Sequence, residues 1–129
     1  MTTYRTHKCN ELNLTHKGNQ IVLSGWVNKK RDHGNLLFLD LRDNYGLTQC
    51  VIDKSNPIFK KIEKLPLETV IKIEGNVVER TKDTINQSIS TGEIEVLIKA
   101  FEIFGDVGME GMIAGPSEIT IVADKDTSL

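Results

Sequence analysis

The sequence predicts an all-β fold with one short helix, in which five strands close into a small barrel. Three observations predict it. Five segments rich in β-branched and aromatic residues are separated by turn chemistry. Two of these segments carry a glycine near their middle, Gly25 and Gly75, as a strand must where it bends or bulges to close a barrel. A single helical pattern stands between the third and fourth segments and is bounded by prolines.

The elements follow in order. Residues 21–30 (IVLSGWVNKK) read as the first strand, bent at Gly25. Asp32, His33, Gly34 and Asn35 then form a turn. Residues 36–42 (LLFLDLR) are the second strand, Asp43 to Gly46 the next turn, and residues 47–53 (LTQCVID) the third strand, so that these two strands make a hairpin. Asn56 is placed to cap a short helix and Pro57 to occupy its first position, where a missing N–H costs nothing. Ile58, Ile62 and Leu65 recur at helical spacing beside Phe59, and Pro66 ends the helix. Residues 69–80 (TVIKIEGNVVER) are the fourth strand, residues 81–92 a polar loop, and residues 93–101 (EIEVLIKAF) the fifth strand. Three strands, a helix and two strands is the order of an OB-fold, a five-stranded Greek-key barrel that binds ligands across its second and third strands and adjacent loops. A generic five-stranded α+β domain fits the same pattern.

Composition bounds the function. A chain of 129 residues suits one domain and excludes a large multidomain enzyme within this span. No apolar run is long enough to span a membrane, and the polar start lacks the apolar centre of a secretory signal, so the expected location is the cytoplasm and no membrane partner is expected. Cys9 and Cys50 are far apart and form no CxxC, which points to reduced, partly buried thiols. His7, His16 and His33 lack metal-ligand spacing, so no metal is expected. The formal net charge of −2 argues against a general polyanion binder and leaves room for a specific one whose positive charge is local.

The chemistry concentrates on the second strand. Alternation puts Leu37, Leu39 and Leu41 on a core face and Leu36, Phe38, Asp40 and Arg42 on the other. An aromatic ring among charges is a stacking platform for a nucleobase or, equally at this point, a side chain packed under a loop. Gln49 on the third strand and Glu95 on the fifth can pair with base edges, and both can also be ordinary solvated strand residues. Lys29, Lys30, Arg31, Arg42 and Arg80 are candidates to hold phosphates, or plain surface charge.

These residues then match a family. Gly25-Trp26-Val27-Asn28-Lys29-Lys30-Arg31-Asp32-His33-Gly34 resembles the opening block of the anticodon-binding domain of bacterial aspartyl-tRNA synthetases. Leu37-Phe38-Leu39-Asp40-Leu41-Arg42-Asp43, then Gly46 and Gln49, resembles its next block. Ile85-Asn86 with Thr91-Gly92-Glu93-Ile94-Glu95-Val96 resembles a third, and Tyr4-Arg5-Thr6-His7 with Cys9 also fits. The block around Phe38 is shared with asparaginyl and lysyl relatives; the three blocks in order are far more specific.

The resemblance covers about residues 4–103. It implies an OB-fold anticodon-binding domain over residues 1–103, with the anticodon loop of aspartate tRNA as partner. It implies that Phe38 stacks on the middle anticodon base and that Gln49 and Glu95 contact base edges, Glu95 at the third-position cytosine. Arg31 and Arg80 would then contact the anticodon backbone or bases, and Asn86 the first base. In the family, aminoacylation uses ATP, aspartate and magnesium in a separate downstream domain whose motifs are not in this sequence. The chain is therefore expected to bind without catalysing, with no cofactor of its own.

After Phe101 the pattern changes. Residues 104–124 (FGDVGMEGMIAGPSEITIVAD) resemble a short piece of histidinol dehydrogenase that lacks the family's zinc and catalytic histidine positions. Residues 104–129 are thus expected to be an atypical tail without dehydrogenase activity. Gly105 to Gly115 reads as a flexible connection, and residues 119–122 as an extra strand that can pair with a barrel edge, including that of a second copy in a homodimer. Two other functions stay open at this level: a general single-strand-binding OB-fold module, and a protein-interaction module whose face the tail covers.

Overall fold

A computed structural model describes residues 4–105. Its strands are β1 (Gln20–His33), β2 (Leu36–Arg42), β3 (Leu47–Asp53), β4 (Val70–Glu79) and β5 (Ile94–Gly105), with the helix α1 (Phe59–Glu63) between β3 and β4. They form a closed barrel in the order β1-β2-β3-β5-β4, the OB-fold arrangement. The β3–β5 pair is parallel and the other four pairs are antiparallel.

β1 serves two partners. Its first half, Gln20 to Trp26, pairs with β4, and its second half, Trp26 to His33, pairs with β2. The handover falls at Gly25, where a Cβ would lie 2.3 Å from the Arg42 carbonyl oxygen. Gly75 answers it on β4, where a Cβ would lie 2.3 Å from the Leu97 carbonyl oxygen, beside a break in register at Glu74/Gly75. Both mid-strand glycines therefore sit where the barrel wall folds against itself, as the sequence predicts.

β2 and β3 occupy the residues expected of them. β1 runs on to His33, because Asp32 and His33 still pair with Leu37 and Leu36, so the expected four-residue turn contracts to Gly34 and Asn35. β5 continues past Phe101 to Gly105, since Lys72, Ile71 and Val70 pair with Glu102, Ile103 and Gly105. The helix is shorter than expected and starts later. Asn56 does not cap it: its Oδ1 accepts the Ile58 amide at 3.0 Å in a preceding turn that holds Pro57, and Ile58 is the N-cap residue. The segment ahead of α1 is a turn because Asn56 satisfies its amide locally.

The core is continuous. Leu37, Leu39 and Leu41 point inward, α1 adds Phe59 and Ile62, and Leu65, two residues past its end, joins them. The segment before β1 also contributes, through Cys9 and Leu12. It is held by Cys9 N–H to Asp43 Oδ2 at 2.9 Å, by the Thr48 hydroxyl to the Cys9 carbonyl at 2.8 Å, and by Tyr4 stacked on Phe104 with centroids 5.3 Å apart. A short 3-10 turn at Leu14–His16, capped by the Asn13 side chain, leads into β1. Cys9 and Cys50 are free and wholly buried, and burial pushes both thiols up. No helix among the described residues is long and apolar enough to cross a membrane. The expected extra strand at residues 119–122, and all but the first residue of the expected glycine-rich connection, lie outside the described residues.

Two outcomes follow. Ile62→Ala opens a cavity where the helix meets the barrel and lowers unfolding free energy by about 2–5 kcal/mol, read by urea denaturation. Both thiols resist alkylation in the native chain at a pH where ordinary thiols react, and react once urea unfolds it. Because folding raises both thiol pKa values, the stability they contribute falls as pH rises above the ordinary thiol value of about 8.5.

Candidate nucleic-acid interface

The functional face is built on a bulge. The β1–β2 register breaks between Val27 and Lys29: Val27 pairs with Leu41, and Lys29 with Asp40. One extra residue in a strand reverses which side chains face which way beyond it. Val27 is wholly buried, and simple alternation would send Lys29, Arg31 and His33 inward with it. The bulge turns these three outward instead, alongside Phe38 and Asp40.

The outward residues line an open cleft of about 490 Å³. Its floor is Lys29, Arg31 and His33 of β1, Phe38 and Asp40 of β2, and Leu47 and Gln49 of β3. Its wall is Arg80, just past β4, with Thr84, Asn86 and Ile89 of the β4–β5 loop. The Phe38 ring is half-buried. The Arg31 guanidinium carbon lies 5.7 Å from its centroid, and the His33 ring meets it edge-on at 6.0 Å.

A polar chain crosses the floor. Arg31 Nη2 donates to Asp40 Oδ1 at 2.8 Å and to Gln49 Oε1 at 2.9 Å. Gln49 Nε2 donates to Glu95 Oε1 at 2.7 Å. β3 and β5 are parallel with Cys50 beside Val96, which sets Gln49 next to Glu95. Gln49 is 7% exposed, so its amide is held from both sides. Arg80 is 6% exposed; its Nε donates to the Ile94 carbonyl at 3.0 Å and its Nη1 to the Thr84 carbonyl at 2.9 Å. Burial draws Arg80 below its ordinary pKa while Glu95 and Asp40 oppose that shift, and the guanidinium stays cationic. Arg31 Nε and Arg80 Nη2 are buried donors without a hydrogen-bond partner among the described residues.

Seven of the sequence-predicted residues therefore come together: Lys29, Arg31, Phe38, Gln49, Arg80 and Asn86 line the cleft, and Glu95 is bonded into its floor. Asn86 sits at the rim, its Oδ1 accepting from the Ser88 amide at 3.0 Å. Two residues do not join. Lys30 lies on the other side of β1, and its ammonium donates to the Glu63 and Leu65 carbonyls at 2.6 and 2.5 Å, at and just past the end of α1. These bonds hold its ammonium against the end of α1 and the chain after it, away from the cleft, and burial lowers its pKa. Arg42 is exposed at the far end of β2 and does not line the cleft. Sequence reasoning missed His33, Leu47, Thr84 and Ile89, and left Asp40 out of the site. The two-residue period linking 29, 31 and 33 was the available signal for His33.

Comparison with known proteins agrees with this geometry. The model of the OB-fold nucleic acid binding domain family matches residues 21–104. An aspartate–tRNA(Asp/Asn) ligase of Pelagibacter ubique is 66% identical over 105 residues, covering 81% of this chain and 18% of the ligase. The enzyme of the same name from Paramagnetospirillum magneticum is 53% identical over 103 residues, 80% of this chain and 12% of that one. The chain thus spans less than a fifth of the curated relatives it matches. Among solved structures, asparaginyl-tRNA synthetase from Pyrococcus horikoshii in complex with asparaginyl-adenylate superposes with a TM-score of 0.65 at 28% identity, over 78% of this chain and 22% of that one. By its matching family model and its closed five-stranded barrel, the chain belongs to the OB-fold nucleic acid binding domain family.

Proposed function

We propose that these residues form the anticodon-binding module of an aspartate–tRNA ligase, and that the cleft takes the opened anticodon loop of aspartate tRNA. The observation that carries the reading is the Phe38 ring, lying in a cleft whose walls supply both donors and acceptors. Sequence-specific RNA recognition works on splayed single-stranded bases through such a combination. The middle base stacks on Phe38 with its edge at Gln49. Glu95 accepts from the amino group of a third-position cytosine through the oxygen that Gln49 does not use. Asn86 at the rim meets the first base. Arg31, Arg80 and Lys29, which line the cleft, hold the backbone.

The binding module comprises the barrel, and the sequence beyond it is a tail of other origin. The module works in the cytoplasm, where tRNA is charged. The chemistry of aminoacylation, with its ATP and magnesium, is assigned to the part of the relatives that this chain does not span, so the function here is binding. A general single-strand binder is the other reading of an OB-fold. The net charge of −2 and the two carboxylates on the cleft floor weigh against it.

The test uses the full chain and labelled anticodon stem-loops in fluorescence anisotropy. The loop carrying the aspartate anticodon binds more tightly than one with its middle base replaced, and equal binding of the two would sink the proposal. Phe38→Ala weakens cognate binding by about 1–3 kcal/mol through lost stacking. The curated relatives are named for both aspartate and asparagine tRNA, whose anticodons differ at the third base, which favours a module that accepts either. On that reading, the asparagine loop binds within about tenfold of the aspartate loop, a gap of about 1.4 kcal/mol; a wider gap restricts the module to aspartate tRNA.

A further inference from the structure

The neighbours of Gln49 fix its orientation as well as its position. A guanidinium offers only donors and an ionised carboxylate only acceptors. Gln49 has Arg31 Nη2 on its Oε1 at 2.9 Å and Glu95 Oε1 on its Nε2 at 2.7 Å. Turning the amide over would set its oxygen against the carboxylate and its N–H groups against the guanidinium. One orientation is therefore allowed, as long as Arg31 stays in place. What holds Arg31 is Asp40, whose Oδ1 accepts from the same Nη2 at 2.8 Å. Asp40 is placed for this by register, opposite Lys29 on one side and Gln49 on the other.

The orientation matters because uracil and cytosine present opposite patterns. Uracil offers a donor at N3 and an acceptor at O4; cytosine offers an acceptor at N3 and a donor at N4. An amide free to turn by half a revolution pairs with either base, whereas a locked amide pairs well with only one. Gln49 keeps one N–H and one oxygen lone pair beyond those used by Glu95 and Arg31.

We propose that Asp40 is a positioning residue for base discrimination: by holding Arg31 on the Gln49 oxygen, it locks the amide so that the base stacked on Phe38 must be uracil rather than cytosine. This rests on the reading under Proposed function, in which that base is the middle one of the anticodon, uracil for aspartate and asparagine alike. Asp40 acts through Arg31 and Gln49, and no contact of its own with the base is needed. Without it, Arg31 no longer holds the Gln49 oxygen, and one of the two restraints on the amide is lost while Glu95 keeps the other.

The experiment compares two stem-loops that differ only in uracil or cytosine at the middle position, binding the full chain and its Asp40→Ala and Asp40→Asn variants. The unaltered chain prefers uracil by about tenfold or more, the size expected of one well-made bidentate pair. In Asp40→Ala the preference falls by about threefold or more, mainly because the cytosine loop binds more tightly than before. Asp40→Asn, which keeps an oxygen for Arg31, retains an intermediate preference. If Asp40→Ala weakens both loops equally and leaves the ratio intact, Asp40 is merely structural and the proposal is overturned. If the unaltered chain shows no preference, the base assignment itself is overturned, a failure visible without any variant. A second readout needs no RNA: in nitrogen-15 relaxation of the unaltered chain the Gln49 side-chain amide is rigid, and a freely rotating amide overturns the lock whether or not the variants fold.

Discussion

The structure depends on one strand having two partners. β1 pairs with β4 over its first half and β2 over its second, and without that handover the five strands would be an open sheet. The constraint is steric at Gly25, where the backbone of β1 passes so close to the Arg42 carbonyl that no side chain fits. It is topological a few residues later, where the bulge past Val27 resets the faces of the strand. Closure at the glycine lets the inner leucines of β2 and the helix residues share one core. The bulge then points Lys29, Arg31 and His33 into the cleft. Fold and candidate site are joined within the nine residues from Gly25 to His33 of one strand.

The cleft gathers local positive charge on an acidic chain, as the proposed polyanionic partner requires. Its three cations, Lys29, Arg31 and Arg80, are set against Asp40 and Glu95, and the local excess is small. Phosphate attraction alone carries no sequence information, so a modest excess shifts the weight of recognition from the backbone to base edges and stacking. The Arg31–Asp40 pair is partly exposed, with side chains 41% and 13% accessible, and such pairs contribute only about 0–1 kcal/mol to stability. Its value here is geometric, because it aims two side chains rather than holding the fold together.

Much of this was legible in the sequence. β2 matches residue for residue because it has one face in the core and one outside, an asymmetry that writes a clear two-residue period; β3, buried along its middle on both faces, matches because turn residues bound it on either side. Phe38, Gln49 and Glu95 could be picked out as polar or aromatic interruptions of the same period. Other features left weaker traces. The segment before β1 supplies only Cys9 and Leu12 to the core, too few apolar residues to show a period, and its docking depends on Asp43 and Thr48 far along the chain. The helix boundary was misjudged because Asn56 caps a turn as readily as a helix, and only the path to β4 distinguishes them. The end of β5 was hidden because its pairing with β4 is decided by β4 and by Tyr4 against Phe104, not by its own composition.

By itself, the sequence determined the order of the elements, the two glycines where the wall bends, the inner faces of the hairpin and the aromatic ring on its outer face. These follow from local chemistry: side-chain alternation, turn residues and the space a Cβ needs. Only the tertiary structure decided which basic residues line the cleft. In a linear reading Lys29, Lys30 and Arg31 are three equivalent cations. One inserted residue at the bulge sends Lys29 and Arg31 to the cleft and Lys30 to the carbonyls at the end of α1. A bulge is a relation between two strands, so its effect on facing appears only when the partner strand is in place.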